Sequence, residues 1–350
     1  MSDTVLDDVD RAATPNLATA QSPRSTVVEL VHLDPATYEP HSLHRTERSW
    51  TETNCWQDMM IEVLNVLGLD PLAPAAFTLS ADFEGSQWTL FKYPPEDLRA
   101  LYGIDIAELY VWRPVIDHLE TALSDGQLLT VEVDAYYLPD TAGVTYRTDH
   151  TKTGIVPQML DRQGRRLGYF HNAGYFELSG EDFSGIFYLD GKPDPHVLLP
   201  YVEVVHLDRI RRPGPEELTD KVRALVREHL ARAPETNPMQ RFKQHLAVDI
   251  PWIQQNGEAG FHPYAFATCR QCGASAELAA AFVDWLDQRD GGGIEAAAEG
   301  FRDISVAAKS LQFALARVAR GKQIDLDGPF ERMGHDWQQA MSLLRSRYAS

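Results

Sequence analysis

The feature that most constrains the fold is a change of pattern near Arg211-Arg212-Pro213-Gly214-Pro215. Beyond it, apolar residues recur at helical spacing over 216–233, 238–256, 264–289, 294–320 and 328–348. The breaks fall at Ala233-Pro234, Gly257, Gly291-Gly292-Gly293 and Gly321, residue types that end helices. No repeat period is visible, so the expected second domain, 213–350, is an all-α bundle rather than a solenoid. Before the boundary the pattern is mixed. Residues 27–33 read as a strand and 55–67 as an amphipathic helix. Residues 77–92 read as a strand or a buried segment. A short helix opens at Pro94-Pro95, and another helix is expected over 108–123. Strands are expected over 131–138, 150–156, 166–171, 185–189 and 201–207. Helices first and sheet later is an α+β pattern, assigned to 27–212. Residues 1–26 are polar and aperiodic and read as a mobile tail.

Composition limits the functions open to such a chain. The length of 350 residues suits two domains, and an apolar content of 44% suffices for packed cores. The net charge of −19 argues against nucleic acid and anionic membrane as main partners. No apolar run approaches the roughly 20 residues needed to span a bilayer. The acidic start lacks an apolar signal segment, and the 3 cysteines cannot all pair with one another, so a cytoplasmic setting is expected.

One of those cysteines has a distinctive address. Cys55 follows Asn54, a good N-cap, and precedes Trp56, Met59, Met60, Val63, Leu64 and Leu67 at three-and-four spacing. A thiol in the first helical turn meets free backbone N–H groups and the positive end of the macrodipole, which favour the nucleophilic thiolate. The bland alternative is an inert buried thiol. Downstream, His150 stands at the mouth of an expected strand, and Asn172 ends the hairpin 154–171 with its turn at Asp161-Arg162-Gln163-Gly164. Cysteine on a helix start, histidine on a strand and asparagine on the next strand is the order of a papain-like Cys-His-Asn site. The expected roles are Cys55 as nucleophile, His150 as acid/base and Asn172 as orienter. Asp134 is the rival orienter, and it shares a strand face with Glu132. The Cys55 backbone N–H is an oxyanion donor. Papain-like peptidases carry a glutamine just upstream. Here the upstream residues run Ser49-Trp50-Thr51-Glu52-Thr53-Asn54, so only Asn54 supplies an amide.

Two further groups are weighed. Cys269-Arg270-Gln271-Cys272 lacks the two further ligands of a zinc site, so no metal is expected and its cysteines read as packing or substrate-contact residues. Arg270, Gln271 and Glu277 are candidate pocket-lining residues. The run Arg209, Arg211, Arg212, Lys221, Arg223, Arg227 and Arg232 either solvates a helix face or receives an acidic partner.

The stretches Asn54-Cys55, Asp134-Ala135-Tyr136-Tyr137-Leu138-Pro139, His150, Tyr169 to Tyr175 and Phe266 to Ser275 resemble a bacterial family, domain of unknown function 1839. The same layout is distantly similar to butirosin-type acyltransferases. That resemblance implies a papain-like cysteine domain followed by a helical domain. It implies transfer of an aminoacyl group from the phosphopantetheine thioester of a carrier protein, through Cys55, to a small-molecule or peptide amine. No bound cofactor is then expected. A cysteine peptidase, amidase or thioesterase on the same triad, and a non-enzymatic carrier-protein-binding protein, are the alternatives.

Overall fold

Runs rich in Val, Leu, Tyr and Phe pair into one antiparallel sheet, and the helical segments pack beside it. The computed structural model describes residues 27–45, 48–51, 54–191 and 199–348; the expected tail lies outside them. In chain order the elements are β1 (Val27–Glu29), α1 (Ser42–Arg45), α2 (Cys55–Val66), α3 (Pro95–Tyr102), β2 (Asp105–Leu109), α4 (Val115–Ser124), β3 (Leu128–Asp134), β4 (Lys152–Asp161), β5 (Arg166–His171), β6 (Gly174–Ser179), α5 (Gly180–Ile186) and β7 (Val202–His206). Then follow α6 (Pro215–Arg232), α7 (Pro238–Ala265), α8 (Gln271–Arg289), α9 (Glu295–Ala319) and α10 (Asp327–Tyr348). The seven strands run in the order β2-β7-β3-β4-β5-β6, with β1 paired to β4 off that path. The class is α+β, with a helical C-terminal region.

Several boundaries differ from the sequence expectation for identifiable reasons. The helix expected over 108–123 divides into β2 and α4, because Pro114 forces extended backbone before it and caps the helix after it. The strand expected at 185–189 is the end of α5 and a turn. Residues 77–92 are neither a strand nor buried throughout: a 3-10 helix covers Ala73–Ser80, a single bridge joins Phe83 to Trp88, and residues 84–87, 89 and 90 are exposed. The helices expected over 238–256 and 264–289 are divided differently. Gly257 breaks α7 internally at φ 57°, and the π-helical turn Phe266–Arg270 separates α7 from α8.

The two regions share a clamped boundary that bears on the start of α2. Trp50 is wholly buried, and its indole N–H donates to Ser305 Oγ on α9 at 3.1 Å. A side-chain carbon at Gly273 on α8 would overlap the Trp50 indole, so glycine is required there for close approach. Glu277, one turn on, accepts from the backbone N–H of Ser49 at 2.7 Å and of Trp50 at 3.3 Å, and from Arg48 Nε at 3.2 Å. The chain leading into α2 is therefore seated in the helical region. A second joint is the buried His229 of α6, which bonds Asp97 Oδ2 at 2.8 Å and Ser80 Oγ at 3.0 Å. Among the described residues no helix is long and apolar enough to cross a membrane.

Candidate functional site

α2 is fixed at both levels of its first two turns. Asn54 Oδ1 accepts from the Gln57 backbone N–H at 2.8 Å, the N-cap bond the sequence implies. Asn54 Nδ2 donates to the Phe91 carbonyl, Gln57 Oε1 accepts from the Tyr93 N–H at 3.0 Å, and Gln271 Oε1 accepts from the Phe91 N–H at 3.2 Å. Three side-chain amides thus pin residues 91–93 beside the helix start. One turn further, Asp58 and Glu62 are fully buried. His44 bridges them, with Nε2 3.3 Å from Asp58 Oδ1 and Nδ1 on Glu62 Oε1. Glu62 also accepts from the Tyr38 hydroxyl and from the His41 N–H at 3.0 Å. Burial alone draws the His44 imidazole toward its neutral form. The bonds and charges of Asp58 and Glu62 outweigh that, and the net displacement is upward.

This anchoring sets the Cys55 sulfur against β4. A methyl group at Gly154 would lie 3.6 Å from Cys55 Sγ and 3.5 Å from Met59 Cε. Glu132 on β3 is the register partner of Gly154 and shares its face of the sheet. Glu132 Oε1 holds Lys152 Nζ at 2.6 Å, and its Oε2 accepts from the Tyr201 N–H at 3.4 Å. On the same face, Glu203 of β7 gathers Trp56 Nε1 at 2.7 Å, Lys92 Nζ at 2.8 Å, Thr130 Oγ1 at 3.0 Å and the Tyr201 hydroxyl at 3.1 Å. Burial pushes this carboxyl up, but its four donors and the Lys92 charge hold it below the usual range. The face beneath α2's first turn is therefore polar and partly open, while the rest of the helix is sealed.

Among the described contacts no hydrogen bond joins Cys55, His150 and Asn172 to one another. His150 Nδ1 lies 2.6 Å from Asp134 Oδ2, and the ring stacks on Tyr136 at 4.3 Å and 11°. The side chain that His150 bonds is thus Asp134, the rival candidate, and not Asn172. His150 precedes Gly154 by four residues. The Ala135 N–H donates to Thr151 O at 2.8 Å, just before β4 begins. The imidazole is exposed, and no bond joins it to Cys55 among the described contacts. Asn172 sits in the β5–β6 turn at φ 45°. It follows His171, which pairs with Gly174 at the end of the β5–β6 ladder.

The remaining candidates have local explanations. Cys269 and Cys272 are fully buried; burial pushes the Cys269 thiol up to about 12 and the Cys272 thiol well above its ordinary value. The Cys-x-x-Cys turn is a packing element: Cys272 touches Met239, Gln271 holds Phe91, and Gly273 receives Trp50. Arg270 lies over the Phe266 ring at 5.5 Å. Glu277 is spent on the 48–50 clamp. In the basic run, Arg212 donates to the Leu67 carbonyl at 3.1 Å and Lys221 to the Ala100 carbonyl at 3.0 Å, the C-terminal carbonyls of α2 and α3. Arg223 pairs with Asp290. These cations close helix ends. No cluster of three metal-ligating side chains occurs among the described residues.

Two features escaped the sequence. Gly154 carries no chemistry of its own, and only the packing of α2 on β4 reveals that it lies against the sulfur. On the opposite face of β4, Thr153 Oγ1 lies 2.9 Å from His171 Nε2, and His171 Nδ1 lies 2.5 Å from Asp140 Oδ2, with Tyr169 also on Asp140. His171 and Asp140 are buried, and no local spacing links the three.

The family models agree with this two-part layout. The DUF1839 N-terminal domain matches residues 39–207, and the DUF1839 C-terminal domain matches 215–346. The chain belongs to the DUF1839 family. The first match covers the sheet with α2 and the Cys55 face; the second covers the bundle that seats residues 48–50. No curated protein matches this DUF1839 chain.

Proposed function

We propose that this protein carries acyl groups as thioesters on Cys55. It takes an aminoacyl group from the phosphopantetheine thiol of a carrier protein and passes it to an amine. The observation that carries this reading is the contrast among the thiols: Cys55 alone is partly accessible, at a helix start, over a sheet position without a side chain. In the first step the thiolate attacks the donor carbonyl, the new S–C bond forms, and the pantetheine thiolate leaves. In the second, the amine attacks, its proton passes to solvent, the C–S bond breaks, and Cys55 leaves as thiolate. Both leaving groups are thiolates, which depart without a proton. An amide nitrogen needs one, and no bond joins His150 to Cys55 among the described contacts, which supports thioester donors over peptides. A helix start set across an antiparallel sheet is the arrangement expected of a papain-like domain, and the helical region that seats Trp50 serves as cover against water.

The test is intact mass spectrometry after mixing with aminoacyl-loaded carrier protein. One aminoacyl increment on the wild type and none on Cys55→Ala is expected. Undiminished transfer by Cys55→Ala contradicts the reading. A second reading, a non-enzymatic carrier-binding protein, is favoured by the lack of any bond between His150 and Cys55 among the described contacts. It predicts carrier binding with no adduct at any time.

A further inference from the structure

We infer that Lys152, steered by Glu132, is the charge partner of the Cys55 thiolate. The inference rests on the reading of Cys55 as a nucleophile and adds the group that makes it one. The argument begins with alternation along β4. Lys152 and Gly154 are two residues apart and project from the same face, and Gly154 is the residue the sulfur touches. Lys152 lies opposite Asp134 in the register, yet its ammonium does not pair with Asp134. It runs diagonally to Glu132, the residue opposite Gly154, and bonds it at 2.6 Å. That diagonal draws the positive charge along the strand toward the sulfur. Gly154 has no side chain to fill the intervening space. Asp134 meanwhile is occupied by His150.

The other charges around the first turn of α2 are committed elsewhere. Lys92 is bound to Glu203 and lies 4.3 Å from the Trp56 ring centroid. Asp58, on α2 itself, is buried against His44. Among the described residues, Glu132 and Lys152 are the remaining charged pair on the sheet face that Gly154 shares. When Cys55 loses its proton to solvent, the thiolate gains a cation beside it in addition to the helix N–H groups. Glu132 keeps that cation in place and in the same measure opposes the negative sulfur. The two residues therefore act in opposite directions.

The experiment is the pH dependence of iodoacetamide alkylation of Cys55 in the full-length protein, followed by peptide mapping. It requires no acyl donor. Lys152→Met is expected to move the alkylation midpoint up by about one unit, an about tenfold loss of rate below it. Lys152→Arg restores the wild-type profile, Glu132→Gln moves the midpoint down, and His150→Ala leaves it in place. The Lys152 side chain is 71% exposed, so its loss spares the core, and continued protection of Cys269 and Cys272 confirms folding. An unchanged profile in both Lys152→Met and Glu132→Gln overturns the inference, as does a shift in His150→Ala. A Lys152-sensitive profile without acyl loading contradicts the acyl-transfer reading and leaves this inference standing.

Discussion

The two ends of the first half of α2 use polar residues in opposite ways. At Asp58 and Glu62 every carboxylate is buried and bonded to His44, Tyr38 or the His41 backbone. At Cys55, one turn earlier, the neighbouring Lys152–Glu132 pair is exposed, and the adjacent sheet position is a glycine. The sealed end holds the helix; the open end is held. On the proposed reading the sulfur meets a large donor and cannot be enclosed, so its position is fixed from behind.

That contrast predicts very different costs at the two ends. Glu62→Ala removes one member of a buried charge cluster and leaves His44, Tyr38 and the His41 N–H without their acceptor. A loss of about 3–5 kcal/mol is expected by urea denaturation. Lys152→Met at the open end should cost under about 1 kcal/mol, since exposed ion pairs contribute little. Equal losses at the two sites would erase the distinction. Gly273→Ala tests whether the helical region also holds the open end. The added carbon overlaps the Trp50 indole, and overpacking of this kind costs about 1–3 kcal/mol. Cys55 alkylation should change with it, because residues 48–50 lead into α2; an unaltered rate would show that the clamp does not reach the sulfur. Asn54→Ala removes the cap and the Phe91 bond, for about 0.5–2 kcal/mol in thermal melts.

The smallest and most graded effect is pH-dependent. The His44 imidazole is raised in the folded protein by Asp58 and Glu62 against the pull of burial. Its contribution is therefore complete below the unfolded value of about 6.5 and is lost as pH rises through the higher folded value. His41 is displaced the other way, chiefly by burial, so its contribution is lost as pH falls. Melting curves of wild type and His44→Asn should converge as pH rises. A constant gap across that window would show that His44 acts by packing alone.

What was legible in the sequence follows the range of the interactions. The Cys55 helix start could be read because capping acts over three residues, Asn54 to Gln57. The helical boundary at 211–215 could be read because proline and glycine act locally. The segment 77–92 could not, because its later backbone N–H groups find partners in the helical region: Phe91 donates to Gln271, 180 positions away in sequence, and Trp88 to the Ala267 carbonyl. The site was half legible. Cys55 and the His150–Asp134 pair are residue types with recognisable chemistry. That Gly154 lies against the sulfur is a matter of how α2 packs on β4, and that Glu132 stands opposite Gly154 is set by the β3–β4 register.

The most direct test of the central claim is a time course of acyl-Cys55 after loading from aminoacyl carrier protein, with and without candidate amines. The account predicts an adduct that persists without amine and clears when the right amine is added, with release slower than loading. Rapid conversion to free acid with no amine present would contradict it and identify a hydrolase.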